Sequence, residues 1–244
     1  MEVSLYSAAA AMNATERWQD LIADNLSSAS VPGARRRDIV FSAVPAGHLG
    51  ASNDPLVIPF AGSAVNFQQG ELVRTGSDMD FAVEGPGFVT VQMPDGSKAY
   101  TRDGQLHLNA QGQLVTKRGY QVMGDSGPLQ VDPNNAAPLT VSAEGQVSQG
   151  ADIKGKISLV EFANPGSLTM LGSGLFRNDQ PSVTPKAAET TNIHQGFIEG
   201  SSSSPTQQMA SIITAMRMYE SNEKVMQMQN DRMGKTISDL SGTN

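Results

Sequence analysis

The stretch SPTQQMASIITAMRMYESNEKVMQMQNDRMGKTISDL, residues 204–240, decides the fold. Ser204 supplies an N-cap, Pro205 suits the first helical position, and Gln207 stands where a capping-box partner is expected. From Met209 onward, Ile212, Met216, Tyr219, Glu223, Met226, Asn230, Met233, Ile237 and Leu240 recur at steps of three and four, with Glu223 and Asn230 as the polar interruptions. A helix from Pro205 to Leu240 would be roughly 50 Å long, more than one small core can cover. Six of the twelve methionines fall in it, and flexible thioethers suit a contact that adapts to differing neighbours.

Working outward, the other end of the chain carries a matching element. Between Val3 and Ala29 there is no Pro or Gly, and Leu5, Ala8, Met12, Ile22, Leu26 and Ala29 follow helical spacing with Thr15 and Gln19 in the interval. Val31-Pro32-Gly33 ends the pattern, because the residue before proline is pushed out of helical angles. A second stripe, Ala11, Ala14, Trp18 and Leu21, implies a second packing partner, and sister chains are the expected cover.

Between the helices the hydrophobic period falls to two. Phe81–Val83, Phe88–Val91, Gln113–Thr116, Tyr120–Met123 and Ile157–Phe162 read as strands, with Pro94-Asp95-Gly96 and Asp103-Gly104 as turns that tolerate positive φ. Arg35 to Val65 holds no sustained period and reads as a loop. The expected architecture is α+β: paired long N- and C-terminal helices, coiled-coil-like, around a central, mostly antiparallel β domain. The boundaries are 1–30 for the N-terminal helix, 31–66 for an extended connector, 67–200 for the β domain and 201–244 for the C-terminal helix.

Composition narrows the function. The net charge of −7 supplies no positive field for nucleic acid or anionic lipid, so nucleic-acid binding is not expected, and no window approaches eighteen apolar residues, so membrane insertion is not expected either. Absent cysteine removes disulfides, thiolate metal sites and cysteine nucleophiles. The start, Met1-Glu2-Val3-Ser4, lacks the basic and apolar segments of a secretory signal, so export would need another route. Asp78, Asp80 and Glu84 are the best material for a cation site, but short carboxylate clusters are common, and His48, His107 and His194 form no helical ligand pair. Tyr100, Tyr120 and Phe88 could offer stacking faces in a β-rich surface binding module, although strand aromatics more often belong to a core. Gly85-Pro86-Gly87 is a turn, with no lysine-serine or lysine-threonine step to make a phosphate loop. Arg35-Arg36-Arg37 reads as a solvated loop rather than a set of ion pairs. Asn25 either bridges helices or sits on a wet face.

Specific motifs say more than periodicity. Asp24 to Gly33, DNLSSASVPG, resembles the N-terminal signature of bacterial flagellar rod and hook proteins: Ala23, Asn25, Leu26, Pro32 and Gly33 match, while Asp24 replaces an asparagine and Ala34 an aromatic. Phe67-Gln68-Gln69-Gly70-Glu71-Leu72, Asp80 to Phe88, Tyr100-Thr101-Arg102-Asp103-Gly104 and Asn109 to Val115 resemble the central block of that family, in order. Gly196, Glu199, Ser201 and the helix from Met209 to Met226 are similar to its closing block, without the usual serine-asparagine-valine.

The resemblance implies a structural subunit of the flagellar basal-body rod in the periplasm, without catalysis or cofactor. Length and the divergent N-terminus favour the proximal-rod type over a distal-rod or hook-type subunit. It further implies export unfolded through the flagellar type III apparatus, and assembly with itself, with other rod subunits and beside surrounding ring proteins, as a helical tube that transmits torque and lets exported subunits pass. The residues expected at the assembly interface are Leu5, Met12, Trp18, Ile22, Asn25, Leu26, Met209, Ile212, Met216, Tyr219, Met226 and Met233.

Overall fold

The computed structural model describes residues 2–48, 55–133, 135, 137–172 and 174–241. They form an α+β chain in two compact units. The first comprises Met1–Ser27, Arg37–Val65 and Ser204–Asn244; the second comprises Ser28–Arg36 and Asn66–Ser203.

In the first unit, helix α1 (Glu2–Ser27) packs against helix α2 (Pro205–Ser241). The segment 31–66, expected as an extended connector, is largely an antiparallel hairpin of β1 (Arg37–His48) and β2 (Pro55–Val65), with Phe41 opposite Ala61 and Val40 opposite Gly62. Pro45 and Pro59 hide this ribbon in the sequence. A two-stranded ribbon tolerates them because half of each strand's N–H groups face outward and owe nothing to the partner. The hairpin lies on α1. It covers the second stripe of that helix, which had been expected to wait for sister chains: Trp18 meets Phe41 edge to face with ring centres 6.1 Å apart, and Ala14 and Leu21 are buried.

The second unit is built from antiparallel strands. Its main sheet runs in the order Thr169–Gly172, Leu175–Arg177, Lys98–Thr101, Phe88–Gln92, Gln121–Gly124, Leu114–Thr116 and Leu106–Leu108, with Leu159–Glu161 also paired to Phe88–Gln92. A three-stranded sheet spans Leu139–Val141, Gln146–Gln149 and Asp152–Lys156. Val83, Val91, Leu114, Val122, Val147 and Ile157 fill the core, joined by a ring cluster of Phe67, Phe88, Phe162, Phe176 and Tyr100.

Pro94-Asp95-Gly96 closes a hairpin as expected: Phe88–Gln92 pairs with Lys98–Thr101, and Gly96 has φ 81°. Asp103-Gly104 does not. Lys98–Thr101 and Leu106–Leu108 are not sheet neighbours, and Gly104 is needed for close approach, since a Cβ there would lie 1.5 Å from the Phe81 carbonyl oxygen. Gly104→Ala is therefore expected to destabilise this unit by about 1–3 kcal/mol, as overpacking against unyielding backbone does, visible as a lower thermal midpoint.

Candidate assembly surfaces

The face that α2 turns inward is set by Gln208 and Ala215, both buried, with Ile212, Tyr219, Asn222, Met226, Gln229 and Met233 half-buried on the same side. These positions keep the 3-4 step but run in a different phase from the most apolar series. Met209 and Met216, expected on the seam with Ile212, Tyr219, Met226 and Met233, are instead 57% and 56% exposed. The reason lies on α1. Its facing side offers Ala8, Thr15, Ile22 and Asn25, mostly small or polar, and such a surface brings two backbones close only if the partner is also small at the contact. Fully buried Ala215 meets that need where methionine would not.

Polar groups on this seam find partners. The Thr15 hydroxyl donates to the Ala11 carbonyl at 2.7 Å. Asn25 donates to the Gln208 side-chain oxygen at 3.4 Å, donates to the Arg37 carbonyl at 2.8 Å and accepts from the Arg37 N–H at 2.8 Å. Of the two roles open to Asn25, the structure gives the bridge: one buried amide joins α1, α2 and the first residue of β1. Beside it, Arg37 donates to Ser63 Oγ at 2.9 Å and reaches Asp24 at 3.4 Å.

Of the remaining expected interface residues, Ile22 is buried and Met12 and Trp18 are half-buried, whereas Leu26 is 38% exposed, past the end of the tight seam. Leu5 and Leu240 lie on α1 and α2, with their side chains outside the described residues. Ile213, which the sequence reading did not single out, is 53% exposed and completes an apolar stripe with Met209 and Met216 at steps of four and three. Its signal was present in the sequence, since a helix with two apolar phases must leave one of them outside.

Because Gln208 stands beside Asn25, α2 starts where α1 ends and runs back along it. The 37 residues of α2 extend roughly 55 Å against roughly 39 Å for the 26 of α1. The last turns of α2 therefore pass beyond the start of α1, and Ile237 there is 66% exposed.

The second unit holds a charge cluster that sequence reasoning missed. Arg35, expected in a solvated loop, is fully buried and donates to Glu199 Oε1 at 2.6 Å. The Gly70 N–H donates to the same oxygen at 2.8 Å, and the Gly33 N–H donates to the Glu199 backbone carbonyl at 2.8 Å. On the other side, Arg102 Nη1 lies 3.5 Å from Glu199 Oε2 and Arg102 Nη2 donates to the Gly85 carbonyl at 2.6 Å, with the guanidinium 4.9 Å over the Phe88 ring. Two buried cations thus share one carboxylate.

Burial lowers the Arg102 pKa to about 10, and the Arg35 charge adds to the effect while Glu199 opposes it. Unfolded, Arg102 keeps its proton to higher pH. The folded state therefore binds fewer protons above about pH 10, and the cost of burying this cation is fully present below that pH and relieved above it.

The residues behind other readings are accounted for. Glu84 Oε2 lies 2.6 Å from His194 Nε2 at the surface, and among the described residues no three His, Asp or Glu side chains are grouped to hold a metal ion. Phe88 and Tyr100 are buried in the ring cluster and Tyr120 is half-buried against the core, so they offer no stacking platform. Gly87, expected in a simple turn, is held by a bond from its N–H to Thr191 Oγ1 at 2.9 Å. No described helix is long and apolar enough to cross a membrane.

Comparison with known proteins agrees with the motifs. Residues 82–149 match the family described as the flagellar hook protein FlgE/F/G D1 domain, and residues 194–239 match the flagellar basal body rod FlgEFG protein C-terminal family. The flagellar basal-body rod protein FlgF of Caulobacter vibrioides is 35% identical over 230 residues, 93% of each chain. FlgF of Mesorhizobium japonicum is 31% identical over 248 residues, 98% of each. The rod protein FlgG of Buchnera aphidicola subsp. Schizaphis graminum is 30% identical over 268 residues, 97% of this chain and 99% of the relative.

Proposed function

The chain belongs to the family of bacterial flagellar basal-body rod proteins, and on that footing we propose that it is a non-catalytic axial subunit of the rod, joined to its neighbours through its terminal helices. The observation that carries this reading is the Met209–Ile213–Met216 stripe. Three large apolar side chains, each more than half exposed, stand one turn apart on a helix whose other face is already packed. Leaving such a stripe in water costs about 25 cal/mol per Å² of apolar area, which contact with another subunit recovers.

In the assembled tube, α1 and α2 pair in coiled-coil-like fashion, and the unit of residues 66–203 braces neighbouring subunits. The stretch of α2 beyond α1 reaches the next subunit along the axis. Copies related by a repeated, non-closing contact make a shaft, which suits the transmission of torque. Delivery through the flagellar type III apparatus fits a chain without cysteine, and the rod places it in the periplasm beside ring proteins. The higher identity to the Caulobacter FlgF than to the Buchnera FlgG supports a proximal over a distal position.

A strain lacking this chain tests the reading. The wild-type chain should restore swimming and co-purify with basal bodies. Met216→Asp should be exported and folded yet leave cells non-motile, because a carboxylate on the stripe must stay charged in an apolar contact. Full motility with Met216→Asp would remove the stripe from the interface, and absence of the wild-type chain from basal bodies would remove it from the rod.

A further inference from the structure

The charge cluster of the second unit holds more hydrogen-bond donors than its protein acceptors can take. Arg35 spends Nη1 on Glu199 Oε1 at 2.6 Å, and its Nε and Nη2 have no acceptor among the described residues. Arg102 spends Nη2 on the Gly85 carbonyl at 2.6 Å and sets Nη1 3.5 Å from Glu199 Oε2, which leaves its Nε without one. The Ser203 hydroxyl is likewise buried and unpartnered. It follows Ser202, whose N–H donates to the Ala34 carbonyl and whose hydroxyl accepts from the Arg36 N–H, one residue either side of Arg35. The Arg35 and Arg102 side chains are 0% and 3% exposed, so bulk water does not serve these groups. We propose that the cluster binds one small monovalent anion, chloride, on the Nε–Nη2 edge of Arg35.

Charge and geometry carry it. Two guanidiniums and one carboxylate leave a single positive charge uncompensated in a buried place, and arginine keeps its proton at neutral pH. Nε and Nη2 form one edge of a planar guanidinium, with N–H bonds running side by side, the fork that suits bidentate capture of an anion.

A water molecule on this edge would bring two protons of its own, and the Glu199 oxygens already take Arg35, Gly70 and Arg102. It would also leave the charge unbalanced. A halide accepts from several donors and donates to none. A dianion such as sulfate would reverse the excess charge rather than cancel it. Arg35→Gln removes the fork and the excess together, since Arg102 and Glu199 then balance.

Thermal melts of the full-length chain test this, with chloride titrated against gluconate, a bulky anion, at constant ionic strength. The wild-type midpoint should rise by several degrees along a saturating curve, as binding to the folded state alone requires, while the midpoint of Arg35→Gln stays flat. Arg177→Gln, which alters a surface cation paired with Asp179, should keep the wild-type response. Bromide should act as chloride does. In crystals of the wild-type chain grown in bromide, an anomalous peak should lie within hydrogen-bond reach of Arg35 Nε and Nη2, a readout that stands even if Arg35→Gln fails to fold. A wild-type midpoint indifferent to chloride, a response that Arg35→Gln shares, or no bromide peak at that edge would overturn the inference. None of these outcomes bears on the rod reading.

Discussion

Glu199→Gln is expected to destabilise the unit of residues 66–203 by about 3–5 kcal/mol, the range for removing one partner of a buried ion pair, and so to lower its thermal midpoint by roughly 10 °C. The carboxylate is the sole anion among three buried charged groups, and it also accepts the Gly70 N–H. Glutamine keeps one acceptor but turns an N–H₂ group toward a guanidinium, leaving two buried cations uncompensated. The reverse deletion is milder. Arg35→Gln leaves Arg102 and Glu199 as a neutral pair, and it removes a side chain whose Nε and Nη2 have no protein acceptor among the described residues. Arg35→Gln should accordingly lower the midpoint by less than half as much as Glu199→Gln. Equal losses would show that packing of the long side chains, rather than charge balance, holds the cluster. Circular dichroism melts of the three full-length chains decide between these outcomes.

That asymmetry also shows where sequence reading stops. Strand Phe88–Gln92 and its turn at Pro94–Gly96 were legible because period and turn chemistry are local, settled within a few residues. Arg35 was read as solvated because its neighbours are charged, while the carboxylate that buries it stands 164 positions away. No local pattern encodes such a pair, although Arg102 and Glu199 both fell inside motifs shared with the rod family. The hairpin of β1 and β2 was lost for another reason. Its prolines and glycines are penalties for a central strand and nearly neutral in a ribbon lying on a helix, and only the tertiary context tells the two apart. The terminal helices were legible in length and partnership, but not in rotation.

Rotation is what the second large effect tests. Ala215→Asp is expected to separate α1 from α2 in the isolated chain, because it places a carboxylate at a fully buried position, where the buried seam residues Ala8, Thr15, Ile22, Asn25 and Gln208 carry no positive charge. An uncompensated buried charge costs about 3–5 kcal/mol, more than a pair of helices on a marginal seam of Ala, Thr, Asn and Gln can absorb. Met216→Asp, one residue along, changes a side chain that is already in water and should leave the isolated chain as helical as wild type. Far-ultraviolet circular dichroism should thus show a large loss of helix for Ala215→Asp alone, while the near-ultraviolet signal from the ring cluster around Phe88 and Tyr100 persists in both. Had the most apolar phase been the packed one, the two results would exchange places. The seam within the chain and the exposed stripe of Met209, Ile213 and Met216 are therefore distinct phases of one helix. The less apolar phase packs against α1, and the more apolar phase stays exposed.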